Sequence, residues 1–148
     1  LAEHMLQVGR ENIKRAGLVD RIELRLCDAK RMPFVDRNFD AVISNSIVHH
    51  IPAPAAVFAE MVRVVKPGGL LFVRDLLRPD DMTALRGFVA MYAGDANAHQ
   101  QKMFGDSLHA ALTLDEVRAI VTPLGFDAAT VQQTSDRHWT WAAVTPLE

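Results

Sequence analysis

The spacing of hydrophobic and polar positions changes several times along the chain, and each change marks an element. Between Glu3 and Ala16, Met5, Leu6, Val8 and Ile13 stand among Arg10, Glu11, Lys14 and Arg15, which predicts an amphipathic helix with Gly17 at its C-cap position. Arg21 to Cys27 alternates Ile22, Leu24 and Leu26 with Arg21, Glu23 and Arg25, the period of a half-exposed edge strand. Asp28 ends it, and Lys30 to Asn38 reads as a polar loop broken by Pro33. The apolar run Phe39 to Ile43 then ends in Ser44, Asn45 and Ser46, followed by His49 and His50, so a buried strand over Phe39 to Ser44 delivers polar residues to a rim.

After that rim the period becomes helical. Val57, Phe58, Met61, Val62 and Val65 define a helix from about Ala53 to Val65, with Pro52 and Pro54 at its start. Lys66-Pro67-Gly68-Gly69 predicts a tight turn into a strand from Leu70 to Asp75. Two strands joined through a helix at this distance are expected to be parallel with a right-handed crossover. Asn45 and Asp75 then lie near one carboxyl edge, where open α/β sheets bind ligands.

The remainder is a helical insertion followed by a hairpin. Two helical stretches, Asp80 to Tyr92 and about Ala96 to Ala111, flank Gly94-Asp95. Together they exceed an ordinary connection. Their Met and Phe positions suit a roof over a pocket, and equally core or a contact between copies. Thr113 with Glu116 has the spacing of a capping box before a helix ending near Gly125. Phe126 to Thr134 and His138 to Thr145 flank Ser135-Asp136-Arg137, a hairpin signal.

Composition narrows the classes. With 148 residues, 49% hydrophobic and 23% charged, the chain suits one globular domain, residues 1–148. A balance of 16 Lys and Arg against 18 Asp and Glu offers no electrostatic footprint for nucleic acid or an anionic membrane. The apolar runs are strand-sized, short of the roughly 20 residues a membrane helix needs. One cysteine, Cys27, excludes an internal disulfide and fits a reducing cytoplasm.

Five short motifs then stand in order: Asp28-Ala29, Met32-Pro33-Phe34, Phe39-Asp40, His49-His50, and Arg63-Val64 with Lys66-Pro67-Gly68-Gly69. In this order and spacing the chain resembles a class I S-adenosylmethionine-dependent methyltransferase of the small-molecule type. The resemblance implies an α/β fold, a three-layer Rossmann-like sheet with a C-terminal antiparallel hairpin. It implies S-adenosylmethionine as cofactor and a small-molecule methyl acceptor. No Gly-x-Gly turn occurs anywhere in the chain, although relatives carry a glycine-rich turn under the methionine part of the cofactor. The start of the sequence resembles the helix after the second strand of the family. The expectation is therefore an incomplete sheet, with the first two strands and first helix absent and the ribose-binding acid falling before Leu1.

On this resemblance Met5, Asp28, Ala29, Asn45 and Ser46 are cofactor-binding positions. A carboxylate and the following N–H at Asp28-Ala29 suit adenine, although an Asp closing its own local turn has the same spacing. Asn45 and Ser46 follow the strand that faces the sulfonium end. Methyl transfer is an in-line displacement that needs alignment above all. His49 and His50 are the candidates for catalysis, since an imidazole suits general-base work on an acceptor hydroxyl. Equally, one of them caps the next helix or packs half-buried. Adjacent side chains diverge, and no third ligand stands at metal spacing.

Two functions are consistent with these residues: methyl transfer, with this chain a fragment of the enzyme, and a non-catalytic remnant that binds or oligomerises. Strand edges left unpaired by the missing strands favour a homo-oligomer. The chain alone is expected to bind the cofactor weakly or not at all and to turn nothing over.

Overall fold

The computed structural model describes residues 2–147, which divide into two compact units, one ending at Pro33 and one beginning at Phe34. In the first, helix α1 spans Ala2–Arg15. Its C-terminus closes as a Schellman motif: the Gly17 N–H donates to the Lys14 carbonyl at 3.1 Å and the Leu18 N–H to the Ile13 carbonyl at 3.0 Å. Gly17 supplies the φ of +69° that this requires. Gly9 lets Leu24 lie against the helix, since a Cβ there would stand 2.7 Å from Leu24 Cδ1.

Arg21 to Cys27 does not form the strand that its alternation predicts. A strand exists only by pairing, and this segment joins no ladder among the described residues. Glu23 and Arg25 instead pair with each other at 2.6 Å on the surface. The alternation reports a half-buried Leu24, and pairing is a separate matter.

The second unit is built on four strands, β1 (Phe39–Asn45), β2 (Val65–Leu76), β3 (Val131–Ser135) and β4 (His138–Val144), in the sheet order β1-β2-β4-β3. Strand β1 runs parallel to β2, and helix α2 (Pro54–Val64) makes the crossover. The expected turn at Lys66 to Gly69 is a bulge inside β2: Phe39 pairs with Val65, but Ala41 already pairs with Leu70. Thr145 stitches this bulge, its Oγ1 accepting the Gly69 N–H at 3.0 Å and donating to the Lys66 carbonyl at 2.6 Å. Gly68 is needed there because its φ is +70°.

The core lies on one face of this sheet. Leu71 and Val73 of β2 and Trp139 and Trp141 of β4 (His138–Val144) meet Val57, Phe58 and Met61 of α2. Phe58 stacks on Trp141 at 5.3 Å, and Phe126 meets the same indole edge-on at 5.1 Å. Each fully buried side chain of this size contributes about 1.5 to 3 kcal/mol. On the opposite face Ile43, Leu70, Phe72 and Val144 are exposed.

The insertion forms two helices, α3 (Met82–Ala93) and α4 (Ala98–Ala110). Asp81 caps the first and an Asn97–Gln100 capping box starts the second. The insertion leaves and returns at one place, where Leu77 bridges to Leu112 and the Arg78 N–H donates to the Leu112 carbonyl at 3.1 Å. Helix α5 (Leu114–Val121) opens with the Thr113–Glu116 capping box that the sequence predicts. A short turn then leads to Gly125, whose φ is +91°. The hairpin forms between β3 (Val131–Ser135) and β4. Phe126 to Thr130, expected within its first strand, instead contains a 3₁₀ turn at Ala128–Thr130. There Asp127 accepts the Ala129 N–H at 2.8 Å, and such local bonds compete with a ladder.

Candidate functional site at the carboxyl edge of the parallel strands

Strand β1 ends at Asn45, which lies opposite Arg74 of β2. The next N–H, that of Ser46, donates to the Arg74 carbonyl at 2.9 Å, so the chain stays on the sheet for one residue more. Ser46 then takes a left-handed conformation, φ 55°, and turns the chain over the edge into a single 3₁₀ turn at Val48–His50. Val48 is buried beneath this turn, whereas Asn45, Ser46 and His50 are exposed.

The turn is held by a residue from the neighbouring strand. Asp75 Oδ2 accepts the Ile47 N–H at 2.9 Å and the Val48 N–H at 2.6 Å. Its Oδ1 accepts the Leu76 N–H at 2.7 Å and lies 2.5 Å from His49 Nδ1. The carboxylate is 1% exposed, so each of these bonds forms away from water. Burial pushes the Asp75 carboxyl up, but the hydrogen bonds it accepts from the His49 ring and from the Leu76 and Val48 N–H groups outweigh it. The group is held below the usual carboxylate range. An ionised Asp75 only accepts, so His49 Nδ1 is the donor.

The two histidines are thereby separated. The His49 side chain is 5% exposed and committed to Asp75, whereas His50 faces outward with its ring centroid 3.9 Å from that of His49. Asn45, Ser46, His49 and His50 thus come together with Asp75 on one edge. Sequence reading put Asp75 at that edge and gave it no role. An acid closing the long apolar run of β2 was the available signal, because a carboxylate at so buried a position needs partners. Ser44 is also buried, and its hydroxyl has no hydrogen-bond partner.

The other candidates lie in residues 1–33, a unit described by itself. Asp28 is exposed and closes its own turn, its Oδ1 accepting the Lys30 N–H and the Lys30 ammonium at 2.9 Å each. Those two bonds, the ammonium first, hold its carboxyl below the usual range. Ala29 is half-buried and Met5 exposed. Among the described residues no group of three or more His, Cys, Asp or Glu side chains is arranged to hold a metal ion. None of the described helices is long and apolar enough to cross a membrane.

Between α3 and α4 runs a groove of about 620 Å³. Leu85, Val89 and Gly105 line it, with Arg86 and the Lys102–Asp106 pair at its rim.

Comparison with known proteins agrees with this architecture. A family described as "Methyltransferase domain" matches residues 1–73. The chain is 27% identical over 146 residues to the 27-O-demethylrifamycin SV methyltransferase of Amycolatopsis mediterranei, covering 97% of this chain and 50% of that protein. It is 26% identical over 135 residues to the ubiquinone/menaquinone biosynthesis C-methyltransferase UbiE of Haemophilus ducreyi, covering 84% and 51%. The chain thus spans about half the length of these two relatives. In fold it matches the crystal structure of a SAM-dependent methyltransferase from Aquifex aeolicus with a TM-score of 0.65, at 17% identity over 96% of this chain and 64% of that one. Motif order, parallel-strand edge, hairpin and these likenesses agree, and the chain is similar in sequence and in fold to the class I S-adenosylmethionine-dependent methyltransferases.

Proposed function

We propose that the chain supplies the carboxyl-edge loop and the helical insertion of an enzyme that transfers a methyl group from S-adenosylmethionine to a small-molecule acceptor. The observation that carries this reading is the Asn45 to His50 loop, pinned by Asp75 at the edge of the parallel pair. The polar groups there fit the amino-acid end of the cofactor: Asn45 and Ser46 are exposed, and the buried Ser44 hydroxyl has no partner. Asn45 and Ser46 would hold that end; within the first unit, taken by itself, Asp28, Ala29 and Met5 are the positions that the family resemblance proposes for the cofactor. The cofactor supplies an electrophilic methyl carbon when bound. His50, with its exposed ring, is the candidate to take a proton from an acceptor hydroxyl, and His49 backs it from inside. Helices α3 and α4 are assigned to the acceptor, as a lid. A cytoplasmic location accords with one exposed free cysteine.

Affinity follows from what the residues offer. The sequence contains no Gly-x-Gly turn, so close backbone approach to the methionine moiety is missing from these 148 residues. Each lost polar contact costs about 1 kcal/mol, and 1.4 kcal/mol is tenfold, so the chain alone is expected to bind nearer millimolar than micromolar. Calorimetry with S-adenosylhomocysteine checks this. Chemical-shift changes at Asn45, Ser46 and His50 on addition of the same ligand support the assignment of the edge. No change there at millimolar ligand overturns it.

A second reading, an oligomerising domain without turnover, is favoured by the sheet itself. Among the described residues β1 pairs on one side only, and Ile43, Leu70 and Phe72 lie exposed beside that free edge. Light scattering decides it: self-association is expected, and a stable monomer at high concentration removes this reading.

A further inference from the structure

From the geometry of the edge we infer that Asp75 is the positioning residue of the site, fixing His49 as its Nδ1–H tautomer and so leaving its Nε2 as a proton acceptor. This rests on the reading of the edge as the place of methyl transfer, but its evidence is separate. One carboxylate oxygen takes two backbone N–H groups of the loop, and the other takes the ring. Loop backbone and imidazole are therefore oriented by the same buried group.

A merely structural acid at this position would need only the two backbone bonds. Here the second oxygen stands 2.5 Å from Nδ1, within a charge-assisted hydrogen bond, and is also bound by the Leu76 N–H at 2.7 Å. The carboxylate cannot rotate to release the ring without giving up three backbone donors. The imidazole is equally restrained, since its side chain is nearly enclosed and the His50 ring lies 3.9 Å away. A neutral imidazole carries one proton, so a donor at Nδ1 makes Nε2 the acceptor. The imidazole, with the His50 ring beside it, is thus held at the edge in one orientation. Fixing a ring in one tautomer through a partnered carboxylate is how a proton acceptor is made ready without being exposed to water.

Long-range ¹H–¹⁵N correlation spectra of the ¹⁵N-histidine-labelled chain read the tautomer directly. The expected result is an Nδ1–H pattern for His49, with a strongly downfield Nδ1 proton. In Asp75→Asn the carboxamide oxygen stays on the Ile47 and Val48 N–H groups, and its NH₂ turns to Nδ1, giving up the Leu76 N–H. Nδ1 must then accept, so His49 is expected to switch to the Nε2–H tautomer. An Nε2–H tautomer in the parent chain, or an unchanged tautomer in the folded variant, overturns the inference. Should D75N fail to fold, the parent spectrum decides alone. Adding S-adenosylhomocysteine to the same sample separates the two proposals. Silence at Asn45 and His50 counts against the methyl-transfer reading and leaves the tautomer result standing.

Discussion

Two turns with the same sequence signature behave differently. Asp28-Ala29 and Ser44-Asn45-Ser46 both follow an apolar or alternating run and both read as polar strand endings. The first is held from within: Asp28 bonds Lys30, two residues away, in full contact with water. The second is held from outside, by a buried carboxylate 28 residues from Ile47 and 26 from His49. A local turn forms whatever surrounds it, and a long-range one forms only when the sheet does. The difference teaches that a polar cluster after a strand is a candidate site in proportion to what another element spends on orienting it. By that measure the Asn45 to His50 edge is the stronger candidate, and the Asp28 turn, taken alone, is a turn.

The sharpest way to break the comparison is Asp75→Ala. It leaves two buried backbone donors, one part-buried one and an imidazole without their acceptor, and a broken buried pair typically costs about 3 to 5 kcal/mol. Urea unfolding is expected to show a loss of that order. A loss below about 1 kcal/mol would mean that water replaces the carboxylate and that the loop is not pinned.

Acid titration sharpens the same point. The folded-state value of Asp75 lies below the ordinary carboxyl value, so its contribution is complete above about 3.9, the unfolded Asp value, and is lost as pH falls through the folded one. Stability is therefore expected to fall on acidification below about pH 4. Asp75→Asn should flatten that part of the curve, and a curve of unchanged slope would place the acid sensitivity elsewhere.

A smaller effect is expected at the end of α1. Gly17→Ala puts a Cβ at φ +69°, costing about 1 kcal/mol in the first unit. Hydrogen exchange at the amides of α1 is the measure. Exchange should quicken there and stay unchanged at Ile47 and Val48, and equal changes in both units would show that they unfold together.

The smallest effect is assigned to Asp28→Ala. Its side chain bonds only its own turn and lies in solvent, so the unfolding midpoint is expected to stay where it is. In the same variant, S-adenosylhomocysteine affinity is expected to fall about tenfold where Asp28 reads the adenine amine. Loss of stability with unchanged affinity would make Asp28 a turn residue and nothing else.

The sequence by itself determined what depends on neighbours along the chain. Helical periodicity announced α2 and its buried Val57, Phe58 and Met61. Capping chemistry announced α5 through Thr113 and Glu116, and Gly17 the end of α1. Motif order carried the family resemblance, and the strand–helix–strand succession carried the parallel pairing of β1 with β2. Tertiary structure alone decided what depends on partners. Arg21 to Cys27 has a strand's alternation but no ladder, because alternation says nothing about backbone hydrogen bonds, and of its apolar residues Ile22 and Leu26 are exposed and Leu24 only half-buried. Lys66 to Gly69 became a bulge because Thr145, 76 residues from Gly69, satisfies its backbone. The two histidines are equivalent as letters. Only the reach of Asp75 across the edge makes His49 the inward, oriented ring and His50 the exposed one, since one buried carboxylate oxygen accepts the imidazole that its position allows and leaves the other to water.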